Sequence, residues 1–252
     1  MTNRKTIVVT GAGGTLCSVI AVDLAKQGHN VVLVGRSLDK LQKVEEEIKA
    51  FGGSCMCITA DVKDEARMME VREEVHKIYG PVTMLINGAG GNNPRATCDN
   101  EYMTPDLDVA KDFFALEESG LKFVFDLNIT SAFLVTQVFA KDMVETGGNI
   151  INVSSMNAYR PLTKIPAYSA AKSGISNFTQ WMAVHFSKVG IRVNAIAPGF
   201  MVNERSKTYL GTVEEGLTPR GQQVIGHTPM GRFGQASDLI GCVKWLLNDE
   251  AS

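Results

Sequence analysis

"TIVVTGAGGTLCSVIAVDLAKQG", Thr6 to Gly28, decides how the rest of the chain is read. Ile7, Val8 and Val9 between two threonines make a short β-branched run that suits a strand covered on both faces. Three glycines, Gly11, Gly13 and Gly14, then interrupt the pattern. From Leu16 onward apolar residues recur at helical spacing until Gly28 stops them. In a strand–glycine loop–helix unit the helix points its free N–H groups and positive dipole end at the loop, which is a cradle for an anion. Gly11 permits the tight turn, and Gly13 and Gly14 let the backbone approach a pyrophosphate. Thr15 and Leu16 open the helix, with the Thr15 hydroxyl in reach of the same group. No Gly-Lys-Ser/Thr follows, so the loop is not of the mononucleotide P-loop kind. Thr15 and Cys17 stand where a dinucleotide loop carries its second and third glycines.

The same alternation continues along the chain. "NVVLVG" is a second strand, followed by a helix that Ser37 caps and that carries Leu41, Val44, Ile48 and Phe51 at helical spacing. "CMCITA", "VTMLIN", "NIINVS" and "IRVNAIA" are further strand-like runs separated by helix-length segments. Near-continuous apolar strands alternating with helices predict one α/β domain over residues 1–252: a doubly wound, Rossmann-type fold with a parallel sheet. Two long polar excursions, near 91–121 and 200–234, leave from strand ends. Ligands of such sheets lie outside the strands' carboxyl ends, so these excursions are expected to wall a substrate site.

Composition narrows the function classes. A net charge of −2 gives no general attraction for nucleic acid or an anionic membrane. No apolar run approaches the roughly 20 residues of a membrane span. The N-terminus leads straight into a strand with no leader pattern, so a cytoplasmic setting is expected. The five cysteines are expected as reduced, mostly buried thiols, with Cys55 and Cys57 on opposite strand faces. The four histidines show no ligand spacing, and no metal is expected.

The second strand ends in "VGRSLDK", with Gly35 where an NAD site usually carries an acidic residue, and Arg36 next to it. A guanidinium matches a 2′-phosphate, so Arg36 and Ser37 favour NADP(H), with NAD(H) as the alternative. Asp61, beside Val62, offers its carboxylate to an adenine amino group. Asn87, Gly88 and Ala89 supply a small-residue floor for the cofactor. In "PAYSAAKSG", Tyr168 and Lys172 stand four apart on a helix and share a face. An ammonium several ångströms from a phenol can lower its pKa by roughly 1–3 units, which makes tyrosine a usable general acid–base.

These pieces occur in one order: Thr10-Gly11, "ADV", "NGAG", "DLNITSAF", "NVSSMNAY", "YSAAK" and "IRVNAIAPGF". So ordered, the chain resembles the short-chain dehydrogenase/reductase family over nearly its whole length. The resemblance implies that Ser155 holds the substrate carbonyl or hydroxyl, that Tyr168 is the acid–base, and that Lys172 binds the nicotinamide ribose and lowers the tyrosine pKa. It also implies that Asn128 holds a relay water and that Pro198 and Gly199 form the turn beside the nicotinamide. A homo-oligomer, dimer or tetramer, is implied too, as is a final strand after "WLLNDEAS" that this chain does not carry. Cys17 in a glycine position is expected to widen the helix–strand contact slightly.

Within the family, "GNNPRAT", "SSMNAYRPLTKIPAYSAAKSG" and "LTPRGQQVIGHTPMGRFG" resemble the short-chain-type D-mannonate oxidoreductases (fructuronate reductases), which act on sugar acids. The alternatives are a gluconate 5-dehydrogenase or a 3-oxoacyl reductase. A non-catalytic nucleotide-binding regulator is disfavoured, because Asn128, Ser155, Tyr168 and Lys172 are all present. For an anionic, polyhydroxylated substrate the expected partners are Asn92, Asn93, Arg95, Asn157, Arg160, Lys164 and Arg205, together with Ser155 and Tyr168.

Overall fold

In the computed structural model, residues 4–108, 112–213 and 215–251 are described. Six parallel strands form one sheet: β1 (Thr6–Thr10), β2 (Asn30–Gly35), β3 (Ser54–Thr59), β4 (Met84–Asn87), β5 (Gly148–Val153) and β6 (Ile191–Ile196). Their order is β3-β2-β1-β4-β5-β6. The direction of winding reverses between β1 and β4, so a crevice opens at their carboxyl ends.

Each strand serves two cores, because alternate side chains leave by opposite faces. Ile7, Val9, Val31 and Leu33 pack on one face against α1 (Thr15–Lys26), α2 (Leu38–Ala50) and α9 (Ile240–Leu247). Val8, Val32 and Val34 pack on the other against α3 (Glu65–Tyr79), α5 (Ser131–Phe139) and α6 (Pro166–His185). All of β1 is buried, as its unbroken apolar run requires. In α2 the buried stripe is Leu41, Val44 and Ile48. Phe51 falls at the helix end, exposed, with Lys26 Nζ 5.5 Å from its ring centroid.

Several expectations are corrected here. Cys55 and Cys57 face the same side, not opposite sides, since residues two apart on a strand return to one face. Cys17 and Cys98 are buried, Cys55 and Cys57 half-buried, and Cys242 exposed, so the thiols are less uniformly interior than read. The helical stretch Glu118–Met143 is long and apolar enough by composition to cross a membrane. It runs through α4 (Glu118–Phe125), the turn Asp126–Thr130 and α5, and 56% of its apolar window is buried inside the fold as a core helix.

The excursions are anchored at their bases. In the first, Cys98 N–H donates to Lys164 O at 2.8 Å and Glu117 N–H to Arg95 O at 2.9 Å; residues 109–111 of it lie outside the described residues. The second contains α7 (Glu204–Leu210), the hairpin β7 (Gly211–Thr212) and β8 (Gly216–Leu217), and α8 (Pro219–Gly226). Its ends are tied by Val202 N–H to Gly234 O at 2.8 Å and by the Met201–Gly234 bridge.

Candidate active site

The site is built from strand ends. Gly11 turns β1 into α1 at φ +66°, and a side chain there would meet Gly88 O at 2.9 Å. Gly14 caps α1 without a side-chain hydrogen bond, so the N–H groups of the first turn face the crevice unscreened. Gly13 does other work: a Cβ there would lie 2.8 Å from Lys40 Cβ, so it lets α2 pack close and does not line the crevice. Thr10, buried, accepts through Oγ1 from Gly88 N (3.0 Å) and Ala89 N (3.2 Å), which pins the end of β4 to the end of β1.

Cys17 at the start of α1 and Gly88 after β4 compensate each other. A Cβ at Gly88, where the family commonly has asparagine, would lie 2.1 Å from Cys17 Sγ and 2.8 Å from Thr10 O. The sulfur therefore occupies the room that glycine leaves at 88, and no widening of the helix–strand contact is needed. Burial pushes the Cys17 thiol up to about 12, with Lys172 pulling weakly the other way, so this thiol is unreactive filling. Gly88→Ala is expected to overpack this contact by about 1–3 kcal/mol. Adding Cys17→Gly should recover part of the loss in a double-mutant cycle of thermal unfolding; strict additivity would refute the pairing.

Ser155 leaves the end of β5 in extended conformation, and its Oγ accepts from Asn157 N at 3.2 Å. Ser154, beside it, bonds Lys172 O (3.1 Å) and Ser176 Oγ (2.8 Å), locking α6 against β5. Small residues on another side of α6, Ala167 and Ala171, pack against Ala96 and Val124 and bring the base of the first excursion and α4 close to the helix. Lys172 is buried, donates to Val153 O at 2.8 Å, and lies 5.6 Å from the Tyr168 ring centroid. Loss of hydration lowers its pKa to about 8. For Tyr168 burial is the largest influence and pushes the phenol up; a hydrogen bond with Ser155 pulls it down, and Tyr209 raises it further. The expected lowering by Lys172 is thus not what governs the phenol. The ammonium faces the ring and gives one of its three donors to a backbone carbonyl.

Asn128 sits in a wide π-turn, Asp126–Thr130, where Ser131 N–H returns to Asp126 O. Gly174 makes room for it, since a Cβ there would lie 2.5 Å from Ile129 Cδ1. The Asn128 side chain accepts from Gly91 N (3.1 Å) and donates to Gly91 O (2.7 Å) and Val124 O (2.8 Å). It is a clamp on the loop after β4. Asn87 is likewise turned inward, donating to Thr136 Oγ1 and Asn152 Oδ1, and does not line the crevice.

Two cavities meet over these groups. One, of 330 Å³, is lined by Gly11, Gly14, Thr15, Leu16, Gly88 and Gly90, and by Lys172, Pro198 and Gly199. The other, of 1030 Å³, is walled by both excursions, through Asn92, Asn93, Thr97, Asn157, Lys164 and Arg220 among others. Ser155 and Tyr168 belong to both. Arg36, Ser37, Asp61 and Val62 lie outside the first cavity at the neighbouring ends of β2 and β3, which Ala60 N–H to Gly35 O (2.9 Å) joins.

The expected cations separate. Arg95 is exposed and pairs with Glu117 at 3.6 Å; Arg160 is exposed and lines neither cavity. Arg205 is in α7, and its side chain lies outside the described residues. Lys164 lines the larger cavity. Arg220, Tyr209 and Phe200 line it too; Arg220 and Phe200 lie within stretches that carry the family resemblance, but nothing local in them shows that their side chains reach this cavity. Among the described residues no cluster of three His, Cys, Asp or Glu side chains suits a metal ion.

A strand-end serine with a Tyr-x-x-x-Lys helix, beside a glycine-lined crevice at a sheet reversal, is the arrangement of an alcohol/ketone oxidoreductase. The pattern of the short chain dehydrogenase family matches residues 5–210, and the chain belongs to that family. It is 49% identical over 99% of its length, and 88% of the relative's, to an uncharacterized oxidoreductase of Haemophilus influenzae. It is 45% identical, over 98% and 89%, to the uncharacterized oxidoreductase UxuB of Bacillus subtilis. A crystal structure from Haemophilus influenzae with bound NAD, provisionally described as a D-mannonate oxidoreductase, is similar at a TM-score of 0.94 and 48% identity, over 98% of this chain and 89% of that one. The chain is an oxidoreductase of the short-chain class, with a nucleotide cofactor.

Proposed function

We propose that the enzyme interconverts a secondary alcohol and a ketone on a sugar acid, with D-mannonate and D-fructuronate as the pair. The observation that carries this reading is the sharing of Ser155 and Tyr168 between a glycine-lined cavity and one rich in hydrogen-bonding groups. The Ser155 hydroxyl donates to the substrate oxygen, and the Tyr168 phenol gives or takes its proton. Lys172 orients the phenol and offers its ammonium to the ribose. When bound, the nicotinamide nucleotide supplies or accepts the hydride. Gly11, Gly14, Thr15 and Leu16 hold the pyrophosphate, Pro198 and Gly199 border the nicotinamide, and Arg36, Ser37, Asp61 and Val62 serve the adenosine end. The crevice fits such a group: a Cβ at Gly90 would lie 2.7 Å from Asn128 Oδ1 and 3.1 Å from Lys172 Nζ, so that wall stays open only with glycine.

The larger cavity supports a polyol. Its walls carry the side-chain amides of Asn92, Asn93 and Asn157 and the Lys164 ammonium, which can pair with several hydroxyls at once, as an acyl chain cannot. For the cofactor, NAD(H) replaces NADP(H) as the preferred reading. A relative 48% identical carries NAD, and the exposed Arg36 side chain leaves no argument that outweighs it. The test is a matrix of D-mannonate, D-gluconate, 2-dehydro-3-deoxy-D-gluconate and a 3-oxoacyl thioester against NAD(H) and NADP(H), followed by absorbance of the reduced ring. The highest kcat/KM is expected for D-mannonate with NAD; a preference for the thioester would sink the proposal.

A homo-oligomer is part of the same reading. Phe125, Phe133, Trp181 and Val184 are exposed along α4, α5 and α6, and Phe133, Phe178 and Trp181 stack in a row. Sedimentation of the purified chain is expected to give a dimer or tetramer; a monomer at micromolar concentration would refute this.

A further inference from the structure

We infer that Arg220 is the carboxylate anchor of the larger cavity, and that Glu101 is the side chain the substrate's carboxylate displaces from it; the inference rests on the sugar-acid reading. Among the described residues, the cations lining that cavity are Lys164 and Arg220. Lys164 is exposed, and among the described residues no side-chain bond directs its ammonium. Arg220 is held on several sides. It stands in the first turn of α8, whose positive end does not hold the guanidinium but adds to the attraction for an anion beside it. Its guanidinium lies 5.8 Å from the Phe200 ring centroid, which steadies its plane. Nη1 donates to Gln223 Oε1 at 2.6 Å and to Glu101 Oε1 at 3.3 Å.

Two features of this geometry point to a carboxylate. Among the described residues both hydrogen bonds use Nη1, so the Nη2–Nε edge keeps the pair of parallel donors that a carboxylate accepts. The Glu101 contact, at 3.3 Å, is longer than the roughly 2.7–2.9 Å of a strong charge-assisted bond, so it holds the arginine weakly. Glu101 comes from the first excursion and Arg220 from the second, and this contact bridges the two walls. The carboxyl and reacting carbons lie toward opposite ends of a hexonate. Its cation must therefore come from an element other than those carrying Ser155 and Tyr168, as α8 does.

The test compares D-mannonate with D-mannitol, its uncharged analogue, on wild type, Arg220→Ala, Arg220→Lys and Glu101→Gln. Turnover is measured with NAD(H), and binding to the NADH-loaded protein by calorimetry. Arg220→Ala is expected to raise KM and Kd for D-mannonate by about 10- to 100-fold with kcat much less changed. Mannitol binding should be unaltered, and Arg220→Lys should recover part of the loss. Glu101→Gln should lower KM for D-mannonate a few-fold by removing the competitor. Equal losses for D-mannonate and mannitol, or none, would overturn the anchor while D-mannonate turnover by wild type keeps the sugar-acid reading. Arg220-dependent binding of D-mannonate without turnover would sustain the anchor and overturn the substrate assignment. Wild type that neither binds nor turns over D-mannonate overturns both.

Discussion

Tyr168→Phe is expected to lower turnover by about 10²–10⁴-fold, the range set by losing a general acid–base, while the protein still binds its nucleotide. The substitution deletes one oxygen on a helix whose packing rests on Ala167, Ala171 and Ile175, so the fold is retained. A pH profile separates this from structural damage. Burial holds the phenol above its ordinary value, so it is protonated and able to donate through neutral pH, and ketone reduction should be flat there. Alcohol oxidation needs the phenolate, and its rate should climb with pH. In Tyr168→Phe that climb should vanish together with the rate. Undiminished turnover, or a surviving pH dependence, would remove tyrosine from the chemistry.

The largest effect on stability is expected far from the crevice, at Asp142 in the turn Ala140–Met143 after α5. Its carboxylate is 1% exposed and accepts from Arg72 Nε (2.7 Å) and Nη2, His76 Nε2 (2.6 Å) and Val82 N (3.0 Å). It joins α3 and the approach to β4 in one network. Burial alone would push the carboxyl up; the bonds from His76, Val82 N–H and Arg72 outweigh it and hold the pKa below the usual value. Asp142→Ala leaves a guanidinium and an N–H without their acceptor. The cost is about 3 kcal/mol, the low end of the range for breaking a buried pair, because Arg72 and His76 stay 26% and 27% exposed. For a chain of this size that is a Tm lower by about 6–12 °C. With the folded pKa depressed, the Asp142 contribution is complete above the unfolded value near 4 and is lost as pH falls through the folded one. Wild type and Asp142→Ala should therefore differ most at neutral pH and converge in acid. A constant gap down to pH 3 would show that packing, not the charge network, carries the effect.

Which residues gather at the strand ends was partly legible in the amino-acid sequence. The Tyr168–Lys172 pair follows from helical spacing and the glycine loop from its place between strand and helix; both are local regularities. Other readings went astray because the deciding partner is remote in sequence. Asn87 turns inward to Asn152 and Thr136. Burial, not Lys172, governs the Tyr168 phenol, because the packing of the first excursion and α4 encloses it. Arg95 is drawn outward by Glu117, while Arg220 is brought 119 residues back to Glu101.

By itself the amino-acid sequence determined the parallel α/β architecture, since alternating short apolar runs and amphipathic segments can bury their apolar faces in few other ways. It also determined which groups meet at the strand ends, because a serine, a phenol and an ammonium at those spacings converge wherever β5 and α6 pack. Only the tertiary structure decided which cations line the larger cavity, and that Cys17 and Gly88 make one complementary contact. Those outcomes depend on which distant segments touch, and a side chain's direction at a loop is set by what packs against it.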